Sequence, residues 1–197
     1  MRYLKHLLLF LSIVCTTSYG ALLNQDVQTM KLLSGVQYLE DPSTELQLED
    51  VKRMTQKFKD WSDWGTEINF GYTKSAYWVR IPLYRTHDAP NEWLLEMHYA
   101  KLSELDFYAP NAQPINTGST RSVSSKPFFD RHFVFPIDLS EKNEYFYIRA
   151  TSLYALSMPL QVWQPDKFRK NQFQSMILQF MYHGGLMVLA KIGRAHV

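Results

Sequence analysis

The chain has 197 residues, enough for one domain of ordinary size with flanking segments, and its 46% apolar content can fill a core. Lys and Arg total 21 against 19 Asp and Glu; setting aside Arg2, Lys5, Lys191 and Arg194 near the ends leaves 17 against 19, about −2, with signs mixed throughout, so a nucleic-acid partner is excluded for want of a basic stripe. The single cysteine, Cys15, lies in the N-terminal segment, which leaves the remainder without disulfide or thiolate chemistry.

Arg2, Lys5 and His6 precede the apolar run Leu7 to Val14, and Ser18 to Gly20 supply small residues, the order of an export signal cut after Gly20. Bulky Val14 argues against lipid attachment at Cys15. Asp26 to Leu33 reads as a polar lead-in. Val36 to Leu39 predicts a first strand closed by Asp41 and Pro42, because the residue before proline is pushed toward extended geometry. Leu46, Leu48, Val51, Met54 and Phe58 then recur at roughly helical spacing. Glu49 and Asp50 come early and Lys57 and Lys59 late, the charge order a helix dipole favours, which predicts a short helix over Glu49 to Lys57. Trp61 and Trp64 fall on the loop that follows and are expected to close one end of a core. Gly71 is expected to make a turn.

From Tyr77 the period changes to two. Tyr77, Val79, Ile81 and Leu83 form an apolar face, and Trp78, Arg80 and Tyr84 form a face with polar tips. The same division separates Trp93, Leu95, Met97 and Tyr99 from Leu94, Glu96 and His98, and Leu105 and Phe107 from Glu104, Asp106 and Tyr108. Pro110 to Ser125 reads as a long loop in which Arg121 and Lys126 are solvated charges. Phe133, Phe135, Ile137 and Leu139 share one face of a strand that Pro136 marks as an edge or a bulge. Phe146, Ile148 and Ala150 oppose Tyr145, Tyr147 and Arg149; Met158, Leu160 and Val162 oppose Gln161 and Trp163. About seven or eight short strands without βαβ alternation predict an all-β fold, an antiparallel jelly-roll-like β-sandwich over residues 21–170.

Residues 172–190 differ in kind. Met176, Ile177, Leu178, Phe180, Met181, Leu186, Met187, Val188 and Leu189 crowd one window, barely long enough for a bilayer core, and Gln174, Gln179 and His183 weaken it. A partial membrane helix and an amphipathic end helix are both compatible with the residues alone. Residues 191–197 resemble a translated sequencing adapter and carry no functional expectation.

Tyr38-Leu-Glu-Asp-Pro42, Leu48-Glu-Asp-Val51 and Asn69-Phe-Gly-Tyr-Thr-Lys-Ser-Ala-Tyr-Trp-Val-Arg80 come in an order that resembles the periplasmic sensor domain of bacterial seven-transmembrane receptors with diverse intracellular signalling modules. Trp93-Leu-Leu-Glu96, Leu105-Asp-Phe-Tyr108, Tyr147-Ile-Arg149 and Pro159-Leu-Gln-Val-Trp163 extend the likeness from about Gly35 to Phe168. The resemblance implies a ligand-sensing domain in the periplasm of a Gram-negative bacterium, followed at residues 172–190 by the first helix of a bundle in the inner membrane. It also implies a cytoplasmic output, a diguanylate cyclase or a histidine kinase, that this chain does not contain.

Nucleotide-binding loops, dinucleotide fingerprints, zinc spacings and nucleophile elbows are missing from the sequence, so no cofactor and no catalysis are expected of this chain. No metal set is expected either. His87, His98 and His132 are far apart in sequence, and His98 with Asp106 would meet only if their strands adjoined. A glycosidase would need two carboxylates facing each other, for which Glu96 with Glu104 or Asp106 are the candidates. The surface that remains is the sum of the non-core faces: Trp78, Arg80, Glu96, His98, Asp106, Tyr108, Tyr147 and Arg149, with Trp163 beside them. Rings that stack on sugars and charged groups that fix hydroxyls or acids make this a candidate site for a small molecule such as a carbohydrate. The structural alternative is a network in which Arg80 and Arg149 pair with Glu96 and Asp106 across the sheet. Expected partners are therefore a small ligand, the membrane through the C-terminal helix, and, as an option, a second copy of the chain. The competing functions are a secreted carbohydrate-binding or adhesive module without signalling, and a truncated hydrolase.

Overall fold

A computed structural model describes residues 20–61, 67–140 and 143–195. The leader expected over residues 1–20, except Gly20, and Trp64 lie outside the described residues. Period-two alternation yields two sheets that face each other across one core. The larger is built around β6 (Ala76–Arg85) and β11 (Asn143–Thr151), in the order β4 (Lys59–Asp60), β3 (Gln37–Asp41), β6, β11, β8 (Glu104–Tyr108), β9 (Ile115–Thr117). The smaller runs β10 (Phe133–Asp138), β7 (Glu92–Met97), β13 (Leu160–Trp163), β2 (Thr29–Leu32). β12 (Ala155–Ser157) and β5 (Asn69–Tyr72) form a separate ribbon. The expected all-β sandwich is what forms.

Inward residues follow the alternation strand by strand. Val79, Ile81, Leu105, Phe107, Phe146 and Ile148 of the large sheet join Trp93, Leu95, Met97, Phe133, Phe135 and Val162 of the small one in a single buried cluster. Phe107 stacks on Phe135 with ring centroids 4.5 Å apart, which pins the sheets face to face. Pro136 sits on β10, an edge strand, where a missing N–H costs no ladder bond.

Four expectations are corrected. Asp26 to Leu33 contains β2, and β1 (Ala21–Leu23) precedes it; Leu23 and Leu32 are fully buried, but strands this short hold too few apolar residues to show a period. β1 pairs parallel with the end of β6, so the large sheet is not wholly antiparallel. Gly71 lies inside β5 at φ +68°, opposite an irregularity in β12, rather than in a turn. The Pro110 to Ser125 loop contains β9 and a 3₁₀ turn, Val123–Ser125.

The expected helix forms as α1 (Leu48–Arg53), extended by a 3₁₀ turn at Thr55–Lys57. It lies across the outer face of the large sheet, where Val51, with Leu46, Leu48, Met54 and Phe58, covers Leu39, Trp78 and Tyr147. Asp41 shapes the approach to it. Its buried carboxylate accepts from the Ser43, Thr44 and Leu46 amides at 3.0–3.1 Å.

α2 (Pro165–Ala195) starts earlier than the expected 172–190 helix, because Pro165 suits a first helical position. Phe168 docks it on Trp163 and Leu94, and beyond that Phe173, Leu178, Phe180, Met181 and Met187 are exposed. Among the described residues no helix is long and apolar enough to cross a membrane. Gln172, Gln174, Gln179 and His183 are the interruptions.

Candidate functional site

The nine non-core residues divide between two opposite outer faces. Trp78, Arg80, Asp106, Tyr108, Tyr147 and Arg149 share the outside of the large sheet, while Glu96, His98 and Trp163 lie outside the small one. Alternation tells a side chain that it points away from the core; a sandwich has two such directions, and only the strand order separates them.

On the large sheet the register arranges the residues in two rows. Arg80, Tyr147 and Tyr108 are cross-strand neighbours, and Trp78, Arg149 and Asp106 form the next row. Arg149 lies 3.5 Å from both Asp106 and Glu104, and its Nη2 donates to the Thr44 carbonyl at 2.8 Å. Arg121, read from sequence as a solvated loop charge, donates to Asp106 Oδ1 at 2.5 Å and to the Thr117 carbonyl at 3.3 Å. Asp106 is therefore bracketed by two guanidiniums. Arg80 donates from Nε to Gln37 Oε1 at 2.8 Å and lies between the rings of Phe58 and Tyr145, at 4.9 and 5.2 Å. The structural alternative thus holds for Arg149 with Asp106; Arg80 is met by a neutral amide, and Glu96 is on the other side of the molecule.

Trp78 does not offer a free stacking plane. It is fully buried beneath α1, its indole N–H has no partner, and its face lies against Tyr108 with centroids 5.6 Å apart. The open part of this surface lies beside it: a groove of about 420 Å³ lined by Leu48, Lys52, Tyr108, Tyr145 and Tyr147 and closed by the Ala109 to Ala112 loop. Burial raises the Tyr108 pKa, and Asp106 adds to this while Arg149 and Arg121 oppose it, so the phenol stays protonated and able to donate. Tyr108 and Tyr145, with the largely buried Tyr147 beside them, give apolar ring surface and hydroxyls, and Lys52, paired with Glu49 at 3.0 Å, adds a cation at the rim. Such a surface suits a small neutral or acidic polyhydroxyl ligand. Tyr145 and Lys52 were not among the expected site residues; Tyr145 carried the outward-facing signal, whereas nothing local marks Lys52.

On the small sheet Glu96 is buried, accepting from Trp163 Nε1 on Oε2 at 2.8 Å, with His132 Nδ1 2.8 Å and His98 Nδ1 3.9 Å from Oε1. A groove of about 680 Å³ runs between this cluster and α2. The carboxylate pair considered for a glycosidase is ruled out by this placement. Glu96 is separated from Glu104 and Asp106 by both sheets and the core, and packed sheets alone lie about 10 Å apart. His98 and Asp106 are parted in the same way, since β7 and β8 belong to different sheets.

A family model of the 7TMR-DISM extracellular 2 domain matches residues 34–164, from the approach to β3 to the residue after β13. No match was found among curated proteins. With two thirds of its length matched and the sandwich in place, the chain belongs to the 7TMR-DISM extracellular 2 family, the sensor domains of membrane receptors.

Proposed function

We propose that this domain senses a small carbohydrate or carbohydrate acid in the groove between α1 and the Ala109 to Ala112 loop. The observation that carries the reading is the convergence of Tyr108, Tyr145, Tyr147 and Lys52 on one open groove beside the arginine-bracketed Asp106. Tyrosine rings stack on the apolar faces of sugar rings, and Lys52 meets a carboxylate or an electron-rich hydroxyl cluster.

The same loop offers a route for the signal. Ala109, Pro110 and Ala112 line the tyrosine groove on one side and, on the other, an apolar cavity of about 700 Å³ that reaches Pro165, Phe168 and Arg169 at the start of α2. A ligand pressing on this loop changes what supports the first turn of α2. The exposed apolar residues of α2 beyond that turn favour its association with the membrane part of the receptor. In this reading the domain is exported to the periplasm of a Gram-negative bacterium. The inner-membrane receptor relays occupancy to a diguanylate cyclase or histidine kinase output.

A panel of neutral and acidic sugars, screened by thermal shift against the full chain, tests the reading. At least one sugar should raise the melting temperature, and Tyr145→Ala, at a half-exposed position, should weaken its binding about tenfold, the worth of one contact of about 1.4 kcal/mol. No shift across the panel, or binding indifferent to both Tyr145→Ala and Tyr108→Ala, would remove the ligand from this groove.

A further inference from the structure

The face opposite the tyrosine groove carries a donor set that sequence spacing conceals. Glu96 and His98 are two residues apart along β7 and its continuation, so they project to the same side. β10 runs antiparallel to β7 with Phe133 opposite Met97, so the preceding residue, His132, comes level with His98. The ladder thus brings three outward side chains together although 34 residues separate the histidines. Their ligating atoms all lie within 4.8 Å of one another, and the imidazole centroids are 3.9 Å apart.

We propose that Glu96, His98 and His132 form a site for a borderline divalent cation, zinc above all. Two imidazole nitrogens and one carboxylate oxygen make up a three-ligand zinc set whose fourth position stays open, here toward the groove under α2. The carboxylate is already oriented: Trp163 holds Oε2 at 2.8 Å, which turns Oε1 to the histidines, the kind of outer support that metal ligands need. Close approach of two imidazoles is unfavourable when both are protonated, and a dication shared between their nitrogens removes that conflict. On binding, the neutral His132 ring carries its single proton on Nε2, so that Nδ1 and the Glu96 Oε1 it now faces at 2.8 Å both turn to the ion. Asp130, whose Oδ1 lies 4.0 Å from His132 Nδ1, lines the same groove. The site is separate from the tyrosine groove and does not depend on the carbohydrate reading.

The test uses the full chain, stripped with a chelator and titrated first with Co²⁺ and then with Zn²⁺. Cobalt should develop the visible absorption of a low-coordinate site at one equivalent, and zinc should bleach it. His98→Ala, at an exposed position where folding is safe, and His132→Ala should each weaken zinc binding by more than the roughly 10- to 100-fold typical of changes outside the first ligands. Tyr145→Ala should leave it unchanged. Circular dichroism on each variant confirms the fold, and the exposed His98 variant decides if His132→Ala unfolds. Absence of the cobalt band, or zinc binding of equal strength in a folded His98→Ala chain, would overturn the proposal.

Discussion

Asp106 shows how a charged residue on a sheet face becomes structural. Its carboxylate is almost sealed from water, and Arg121 and Arg149 approach it from different elements. Removing the acid leaves two guanidiniums without their shared partner, whereas removing Arg149 leaves Asp106 still held by Arg121. We therefore expect Asp106→Ala to cost about 3 to 5 kcal/mol and Arg149→Ala about 1.5 to 3 kcal/mol, measured by urea denaturation. Equal losses for the two would contradict the bracketed geometry. Tyr77 gives a residue-scale pH signature. Burial, with the charge of Glu40 behind it, pushes its phenol from 10.0 up to about 12. The folded state therefore holds this proton more tightly than the unfolded one, so its contribution is full below pH 10.0 and is lost as pH rises toward about 12. That tighter hold is worth on the order of 2 to 3 kcal/mol. Alkaline melts should show the wild type losing stability across that window, and Tyr77→Phe losing less.

At the scale of elements, Gly118 closes β9 against the neighbouring β8. Its φ is +143°, and a Cβ there would lie 2.2 Å from the Ser103 carbonyl oxygen, a backbone atom that cannot step aside. Gly118→Ala should cost about 1 to 3 kcal/mol or more and loosen β9, detectable as faster amide exchange over Ile115–Thr117. Nothing in Thr117-Gly118-Ser119 announces this, because the constraint comes from the Ser103 backbone just before β8, fifteen residues away in sequence. Long strands such as β6 and β11 were legible because eight or more residues repeat one alternation, and α1 because Leu46, Val51, Met54 and Phe58 keep one helical stripe. Alternation could not say which outer face a residue joins. That is why the sequence alone groups Glu96 and His98 with Arg80 and gives no sign of His132, which precedes its strand. Arg121 was invisible for a related reason: its partner, Asp106, is set by the path of a loop and not by any period.

Taken whole, the molecule has a different chemistry on each side of one core. The large sheet carries α1, the arginine-bracketed acid and the tyrosine groove; the small sheet carries the glutamate and histidine cluster beneath α2. The Ala109 to Ala112 loop is the one segment lining both the tyrosine groove and the cavity at the base of α2 among the cavities described, so it is where ligand occupancy would reach the helix. Hydrogen–deuterium exchange on the full chain, with and without the sugar that gives the largest melting shift, tests this directly. The expected result is a change in protection at both Tyr108 to Ala112 and Asp166 to Gln172, lost together in Tyr145→Ala. Protection confined to the groove, with the start of α2 unchanged, would contradict it.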